Sequence, residues 1–207
     1  MNYIQDKRDF LFRFVPPDVR QKLLFDDESL YSTTDQLTAE KVAKDIARST
    51  SCDMVITDAT ACVGGSAYAF SRIFKKVNAV ELDAQRFEYL VKNMNALGAK
   101  VECVQGDMLD VCKEINQDII FLDPPWGGPD YKNEKSVSLM LSDLPLSEVC
   151  RRLQFCAKYF AMKVPVNFDE EVFLQDTKTF LTLVHRNTQL RKMNLLIFST
   201  LANETKK

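Results

Sequence analysis

Four short apolar runs, each closing on or running into an acid and each followed by a helix-forming or loop-forming segment, constrain this chain more than any other feature. MVITDA (54–59) holds Asp58, VNAVEL (77–82) holds Glu81, VECVQ (101–105) runs into Gly106 and Asp107, and DIIFLD (118–123) ends on Asp123. SAYAFSRIF (66–74), AQRFEYLVKNMNALG (84–98) and MLDVCKEI (108–115) separate them with helical patterns. In the second of these, Phe87, Leu90, Val91, Met94 and Leu97 recur on one helical face and Gly98 stops the helix. Alternation of this kind predicts an α/β fold: an open, mostly parallel sheet with helices on both faces. Such sheets bind ligands beyond the carboxyl ends of their strands. The functional residues are therefore expected immediately after strands.

The remainder of the chain is read the same way. TAEKVAKDIARS (38–49) predicts a helix with Thr38 as N-cap and Val42, Ala43, Ile46 and Ala47 on one face. After the fourth strand come a helix at about 147–157, a strand at 158–164, a short helix at 169–175 and strands at about 179–186 and 193–200. Residues 1–37 fit no strand–helix repeat and are assigned to an N-terminal lobe, with 38–207 as the main domain. The lobe interleaves Lys7, Arg8, Arg13, Arg20 and Lys22 with Phe10, Phe12 and Phe14, against Asp6, Asp9 and Asp18. Two readings stay open: a helical cap packing the three phenylalanines on the main sheet, or a cation-and-aromatic surface for nucleic acid. Both hold if the lobe walls the substrate cleft. Lys206 and Lys207 read as a frayed basic tail.

Bulk properties exclude several classes. With 46% hydrophobic residues in 207, the chain can bury a core, and a formal net charge of −2 argues against coating long nucleic acid through its overall field. Cys52, Cys62, Cys103, Cys112, Cys150 and Cys156 form no CxxC pair and His185 is the one histidine, so no metal site is expected. The start, MNYIQDKRDF, lacks the apolar region of a signal peptide, and no apolar run is long enough to span a bilayer. The expectation is an intracellular monomer, nuclear or cytoplasmic.

The strand-end loops carry the chemistry. DATACVGG (58–65) lacks the GxGxxG of a dinucleotide fold and the GK[ST] of a phosphate loop, which disfavours NAD and ATP. Gly64 and Gly65 permit a sharp turn and a close approach to a ligand, or simply a strand-to-helix turn. Glu81 is placed to accept both hydroxyls of a ribose, or is a solvated charge. Asp107 is placed to accept from an adenine amino group, or is a turn residue after Gly106. Each signal is weak alone; three in register are much stronger.

In this order, DxxxxxGG, VELD, QGD and DPPW, the segments resemble the class I S-adenosylmethionine-dependent methyltransferases over roughly residues 35–200. The resemblance implies a Rossmann-like fold, a seven-stranded sheet whose last strand is antiparallel. It further implies S-adenosylmethionine lying across Asp58, Thr60, Ala61, Gly64 and Gly65, with Glu81 and Leu82 at the ribose end, Asp107 and Met108 by the adenine, and Asp123 beside the cofactor.

FLDPPWGGPDY (121–131) is expensive to order and contains the one tryptophan of the chain. A D/N/S-P-P-aromatic loop after strand four resembles the signature of methyltransferases acting on exocyclic amino groups of bases. Such a nitrogen is a poor nucleophile because its lone pair is conjugated into the ring. Asp123 and the carbonyl of Pro124 can accept its hydrogens and orient it. The prolines pre-set the backbone, and Trp126 offers a flat stacking surface. The other reading of Trp126 is a residue packing the loop on the core.

DPPWGGPDY further resembles the SPPWGGPDY loop of the trimethylguanosine synthases, which methylate N2 of the 7-methylguanosine RNA cap. LTAEKVAKDIA (37–47) and KLLFDD (22–27) resemble two upstream segments of that family. The resemblance implies capped RNA as partner, Trp126 stacking on a cationic base with about 1–2 kcal/mol from cation–π attraction, and Pro125, Tyr131 and Thr38 at the substrate. Three departures stand out. Asp123 replaces the family's serine, Cys62 replaces its first loop glycine, and Thr34 and Asp35 stand where an aromatic is usual. Asp123 keeps open an adenine-N6 or structured-RNA guanine-N2 methyltransferase, and Cys62 keeps open a non-catalytic cap- or cofactor-binding subunit.

Overall fold

The computed structural model describes residues 6–190 and 192–201; Lys206 and Lys207 lie outside them. The chain divides into two compact units, one through Met108 and one from Leu109 onward. The main strands form a seven-stranded sheet with helices around it, as expected for a Rossmann-like class I methyltransferase.

In the first unit lie α1 (Lys7–Leu11), α2 (Pro17–Arg20), α3 (Asp27–Ser32), α4 (Gln36–Ser49), β1 (Val55–Asp58), α5 (Gly65–Ser71), β2 (Lys76–Glu81), α6 (Ala84–Ala96) and β3 (Glu102–Gln105). β2 pairs in parallel with β1 on one side and β3 on the other. The apolar stripe of α6 packs as its spacing predicts: Leu90 and Met94 are buried with Ala61, Ala67 and Ala79, flanked by Phe87 and Leu97. Gly98 ends the helix at a φ of 63°.

Residues 6–37, the described part of the expected N-terminal lobe, fall within this unit and hold α1, α2 and α3. Of Phe10, Phe12 and Phe14, only Phe12 is core: it is buried with Leu11, Val15 and Leu23 against Phe25 of the lobe and Tyr68, Ala96 and Leu97 of the α5 and α6 region, whereas Phe10 and Phe14 are 45% and 61% exposed. Two devices fix the lobe to α6. Buried Asn93 accepts from the Leu24 amide at 2.7 Å and donates to the carbonyls of Leu24 and Val63 at 3.0 Å. Arg86 pairs with Asp26, the N-cap of α3, at 3.0 Å, and with Glu28. The start of α4 corrects the expected cap. Asp35, not Thr38, is the N-cap, and it accepts from the Thr38 amide and hydroxyl at 3.3 and 2.7 Å. Aspartate competes better for the orphan amides, and the helix begins two residues earlier.

The second unit begins inside α7 (Met108–Glu114), at its second residue, Leu109. It holds β4 (Ile119–Leu122), a 3₁₀ turn (Pro129–Asn133), a small hairpin of β5 (Met140–Leu141) and β6 (Leu144–Pro145), α8 (Leu146–Leu153), β7 (Tyr159–Pro165), α9 (Glu170–Thr177), β8 (Leu181–Leu190) and β9 (Met193–Thr200). β4 and β7 are parallel, and β9 runs antiparallel between β7 and β8. All four residues of β4 are buried, as are Leu195 to Phe198 of β9, so these strands read as continuous apolar runs. Phe173 of α9 stacks on Phe198 with ring centroids 5.4 Å apart.

Candidate active site

In the first unit the strand ends form a hydrogen-bonded set. Asp58, at the end of β1, is almost fully buried, and its Oδ1 accepts from the Thr60 amide at 3.3 Å. The chain then turns through Ala61, Cys62 and Val63, with the Ala61 amide bonded to the Val80 carbonyl of β2 at 2.9 Å. Glu81, at the end of β2, accepts from the Cys62 amide at 2.8 Å and, through its other oxygen, from the Asp83 amide at 2.9 Å. A carboxylate has about four lone-pair sites, so two remain for a ligand, and the two amides fix its orientation. Leu82, next in the chain, is 64% exposed. The third strand end is tied in by the Gly106 amide, which donates to the Glu81 carbonyl at 3.0 Å. Asp107 is half-buried and Met108 buried. Thr38 is half-buried, its hydroxyl engaged by Asp35.

The glycines of this loop have a cause other than ligand approach. Gly64 has φ 99°, and a Cβ there would lie 2.3 Å from the Met94 methyl and 3.0 Å from Leu90 Cδ1. A Cβ on Gly65 would lie 2.7 Å from Thr33 Cγ2. The close approach is to α6 and to the segment before α4. Cys62 sits at φ 50°, in the left-handed region that glycine occupies without strain, so this position has a backbone conformation that suits a glycine although it carries a side chain. Its thiol lies 3.8 Å from the Ser32 hydroxyl, and burial pushes it up to about 11.

In the second unit, Asp123 leaves β4 and its carboxylate meets Lys163 of β7, a lysine only 3% exposed. Burial pushes the Asp123 carboxyl above its ordinary value, and the Lys163 charge pulls it back. The Lys163 ammonium also lies 5.8 Å from the Trp126 ring centroid. Pro124 is buried and Pro125 exposed. Trp126 is half-buried, Tyr131 meets it edge-on with centroids 5.2 Å apart and planes at 78°, and the indole N–H is buried without an acceptor among the described residues. A cavity of about 470 Å³ opens here, walled by Pro125, Trp126 and Tyr131 and edged by Asp130 and Glu134. Asn167 holds the loop in place: its amide nitrogen donates to the carbonyls of Tyr131 and Glu134 at 2.8 and 2.9 Å. Gly127 and Gly128 have φ of 89° and 79° with nothing within 4 Å of a Cβ, so here conformation alone selects glycine.

Thus the expected cofactor residues of the first unit lie at or just after three strand ends, Thr38 lies apart from them in sequence on α4, and Asp123, Pro124, Pro125, Trp126 and Tyr131 lie in the loop after β4. Three residues escaped sequence reasoning. Lys163 had a signal, a charge inside the apolar strand YFAMKVP, since a buried lysine demands a partner. Asn93 had a weaker one, a polar residue on the apolar face of α6. Asn167 had none. Among the described residues no cluster of His, Cys, Asp or Glu could hold a metal ion, and no helix is long and apolar enough to cross a membrane.

Residues 53–206 match the family described as RNA cap guanine-N2 methyltransferase. The chain is 35% identical over 133 residues to an uncharacterized protein of Acanthamoeba polyphaga mimivirus, covering 61% of this chain and 52% of that one. It is 27% identical over 153 residues to trimethylguanosine synthase of Schizosaccharomyces pombe, covering 70% and 63%. The chain therefore spans between about half and two thirds of the length of these relatives. Among solved structures, a methyltransferase described as putative from Porphyromonas gingivalis shares the fold with a TM-score of 0.65, at 16% identity over 89% of this chain and 51% of that one. A T. thermophilus 16S rRNA N2 G1207 methyltransferase, solved with AdoMet and guanosine, gives a TM-score of 0.58 at 15% identity, over 85% and 43%.

Proposed function

Because the chain belongs to the RNA cap guanine-N2 methyltransferase family, that of the trimethylguanosine synthases, we propose that it transfers a methyl group from S-adenosylmethionine to the N2 amino group of a 7-methylguanosine RNA cap. The observation that carries this reading is the cavity beside Trp126. Its walls are the rings of Trp126 and Tyr131 and its edge holds two carboxylates, Asp130 and Glu134. Aromatic faces and nearby negative charge suit a flat base that carries positive charge, as 7-methylguanine does.

The residues of the first unit suit the cofactor. Glu81 has acceptor capacity left for a ribose diol, exposed Leu82 offers an apolar face beside it, and Asp107 stands at the third strand end to accept from the adenine amino group. Asp58, Thr60, Ala61, Gly64 and Gly65 shape the loop beside them, and Met108, next to Asp107 in the chain, is buried. When bound, S-adenosylmethionine supplies an electrophilic methyl on a sulfonium. The protein's part is positioning. Asp123 and the Pro124 carbonyl accept the amino hydrogens and hold the nitrogen lone pair toward its target, while Trp126 fixes the ring plane. The N-terminal lobe, residues 1–37, suits the RNA that follows the cap. Lys7 lies 5.4 Å from the Tyr31 ring and Arg13 5.1 Å from Phe10, with Phe10, Phe14 and Tyr31 exposed.

One observation favours a second reading. A lone carboxylate at Asp123 would favour a cationic base through its charge, but Lys163 offsets that charge. The carboxylate therefore does not itself select 7-methylguanine, and a neutral base, adenine at N6 or guanine in structured RNA at N2, remains compatible with it. Mass spectrometry of 7-methylated and unmethylated cap dinucleotides, each incubated with protein and S-adenosylmethionine, separates the two. Gain of one or two methyls on the 7-methylated cap alone supports the cap reading. Equal gain on both caps supports the second, and no gain with cofactor bound supports a non-catalytic role.

A further inference from the structure

Lys163 is the most buried charge of the second unit, at 3% exposure, and it sits in the middle of a strand whose neighbours Phe160, Ala161, Met162 and Val164 are all buried. Strand β9 opposes it with the apolar Leu195. A lysine in such surroundings is costly unless paired, and replacing an ion pair by apolar residues is often neutral or stabilising. Stability alone is thus a poor reason for the pair. Its two neighbours give a better one. The ammonium touches the Asp123 carboxylate on one side and lies 5.8 Å from the Trp126 centroid on the other. These are the amino-group acceptor and the stacking surface of the proposed site.

We propose that Lys163 is a positioning residue: one buried cation holds Asp123 ionised and turned as an acceptor, and seats the Trp126 ring that receives the base. This rests on Asp123 and Trp126 acting on a base amino group. The carboxyl needs such help. Burial alone favours its protonated form, which would donate toward the amino group where acceptance is required, and Lys163 is the charged group that acts against this. The family's serine needs no such partner, because a hydroxyl stays an acceptor at any working pH. Aspartate at 123 and lysine at 163 therefore act as one unit in this chain.

The sign of the pH dependence follows. Activity requires ionised Asp123, so it rises as pH climbs through the Asp123 pKa. Removing the Lys163 charge raises that pKa further and moves the acid limb upward. The single tryptophan makes the cluster visible without substrate, since all indole emission comes from Trp126. Asp130, Tyr131, Lys132 and Glu134 also stand in or beside the same loop and can colour that emission, so Asp123→Asn is the control that isolates the carboxyl.

The experiment is a fluorescence pH titration of wild type, Asp123→Asn, Lys163→Met and Lys163→Arg, with kcat and KM against pH measured alongside. The expected wild-type emission changes with a midpoint above the ordinary aspartate range, and Asp123→Asn removes that transition. Lys163→Met moves the midpoint and the acid limb of kcat/KM up together, by about 1–3 pH units, and Lys163→Arg restores both. A midpoint that persists in Asp123→Asn overturns the proposal even when Lys163→Met does not fold. So does a Lys163→Met protein that folds with unchanged midpoint and limb. If the emission behaves as expected but neither cap gains a methyl, the coupling stands and the proposed function falls.

Discussion

Two loops with paired glycines serve this molecule in opposite ways. After β1, Gly64 and Gly65 are hemmed in by Met94, Leu90 and Thr33, and the loop amides of Thr60, Ala61 and Cys62 donate to Asp58, the Val80 carbonyl and Glu81. After β4, Gly127 and Gly128 face open space, and the loop is anchored from outside by Asn167 and flanked by a cavity. The first loop has its shape built by the fold around it. The second keeps a free surface of rings and carboxylates. A cofactor common to many reactions can use a pre-built cradle, whereas discrimination between bases requires side chains that meet the ligand directly. The comparison predicts that changes in the first loop act on stability and cofactor affinity together, and that changes in the second act on the base alone.

The strongest way to break this contrast is Trp126→Ala. Base stacking is worth about 1–3 kcal/mol and cation–π attraction to a charged base about 1–2 kcal/mol. Loss of both lowers kcat/KM by about 30-fold to several thousandfold. On the proposed division of labour, cofactor affinity, measured by calorimetry, should stay within about twofold. A comparable loss of cofactor affinity would mean that the two loops do not divide the labour.

The glycines themselves come next. Gly64→Ala places a Cβ against Met94 and Leu90 at φ 99°. The left-handed conformation costs about 1–2 kcal/mol and the crowding about 1–3 kcal/mol, although the flexible Met94 end can yield in part. Denaturant unfolding should show a loss of about 2–4 kcal/mol. Gly127→Ala meets only the conformational cost, about 1 kcal/mol, because nothing stands near its Cβ. Equal losses at the two positions would remove the distinction between a crowded loop and an open one.

What could be read from sequence follows the same division. The strands and the α6 stripe were legible because one-sided burial writes a period into the chain, and the predicted strand of 54–59 is observed at Val55–Asp58. The strand-end acids were legible because chemistry concentrates where parallel strands stop. The partners of those residues were not. Lys163 meets a carboxylate 40 residues earlier, and Asn93 bonds a backbone 69 residues away. No local pattern encodes such pairings. The β5–β6 hairpin is too short, at two residues a strand, for any period to show. The lobe at the N-terminus illustrates the limit most directly. FLFRF supplies three equivalent phenylalanines, and only the packing against Tyr68, Ala96 and Leu97 decides that Phe12 is core while Phe10 and Phe14 face outward.

The smallest effect concerns the departure that first suggested a quiet enzyme. Cys62 holds the left-handed conformation at φ 50°, and its thiol lies beside Ser32. Cys62→Gly relieves a strain of about 1–2 kcal/mol but frees the unfolded chain by about 0.4–1 kcal/mol and gives up the contacts of a mostly buried thiol. These terms nearly cancel, so stability should change by less than about 1 kcal/mol. Because the backbone already has the glycine shape and the side chain points to the N-terminal segment, cofactor affinity should change by less than about threefold. A tenfold or greater gain on introducing glycine would show instead that the thiol obstructs the cradle. The aspartate at 123 would then no longer be the departure that matters most, and the chain would be better read as a binder than as a catalyst.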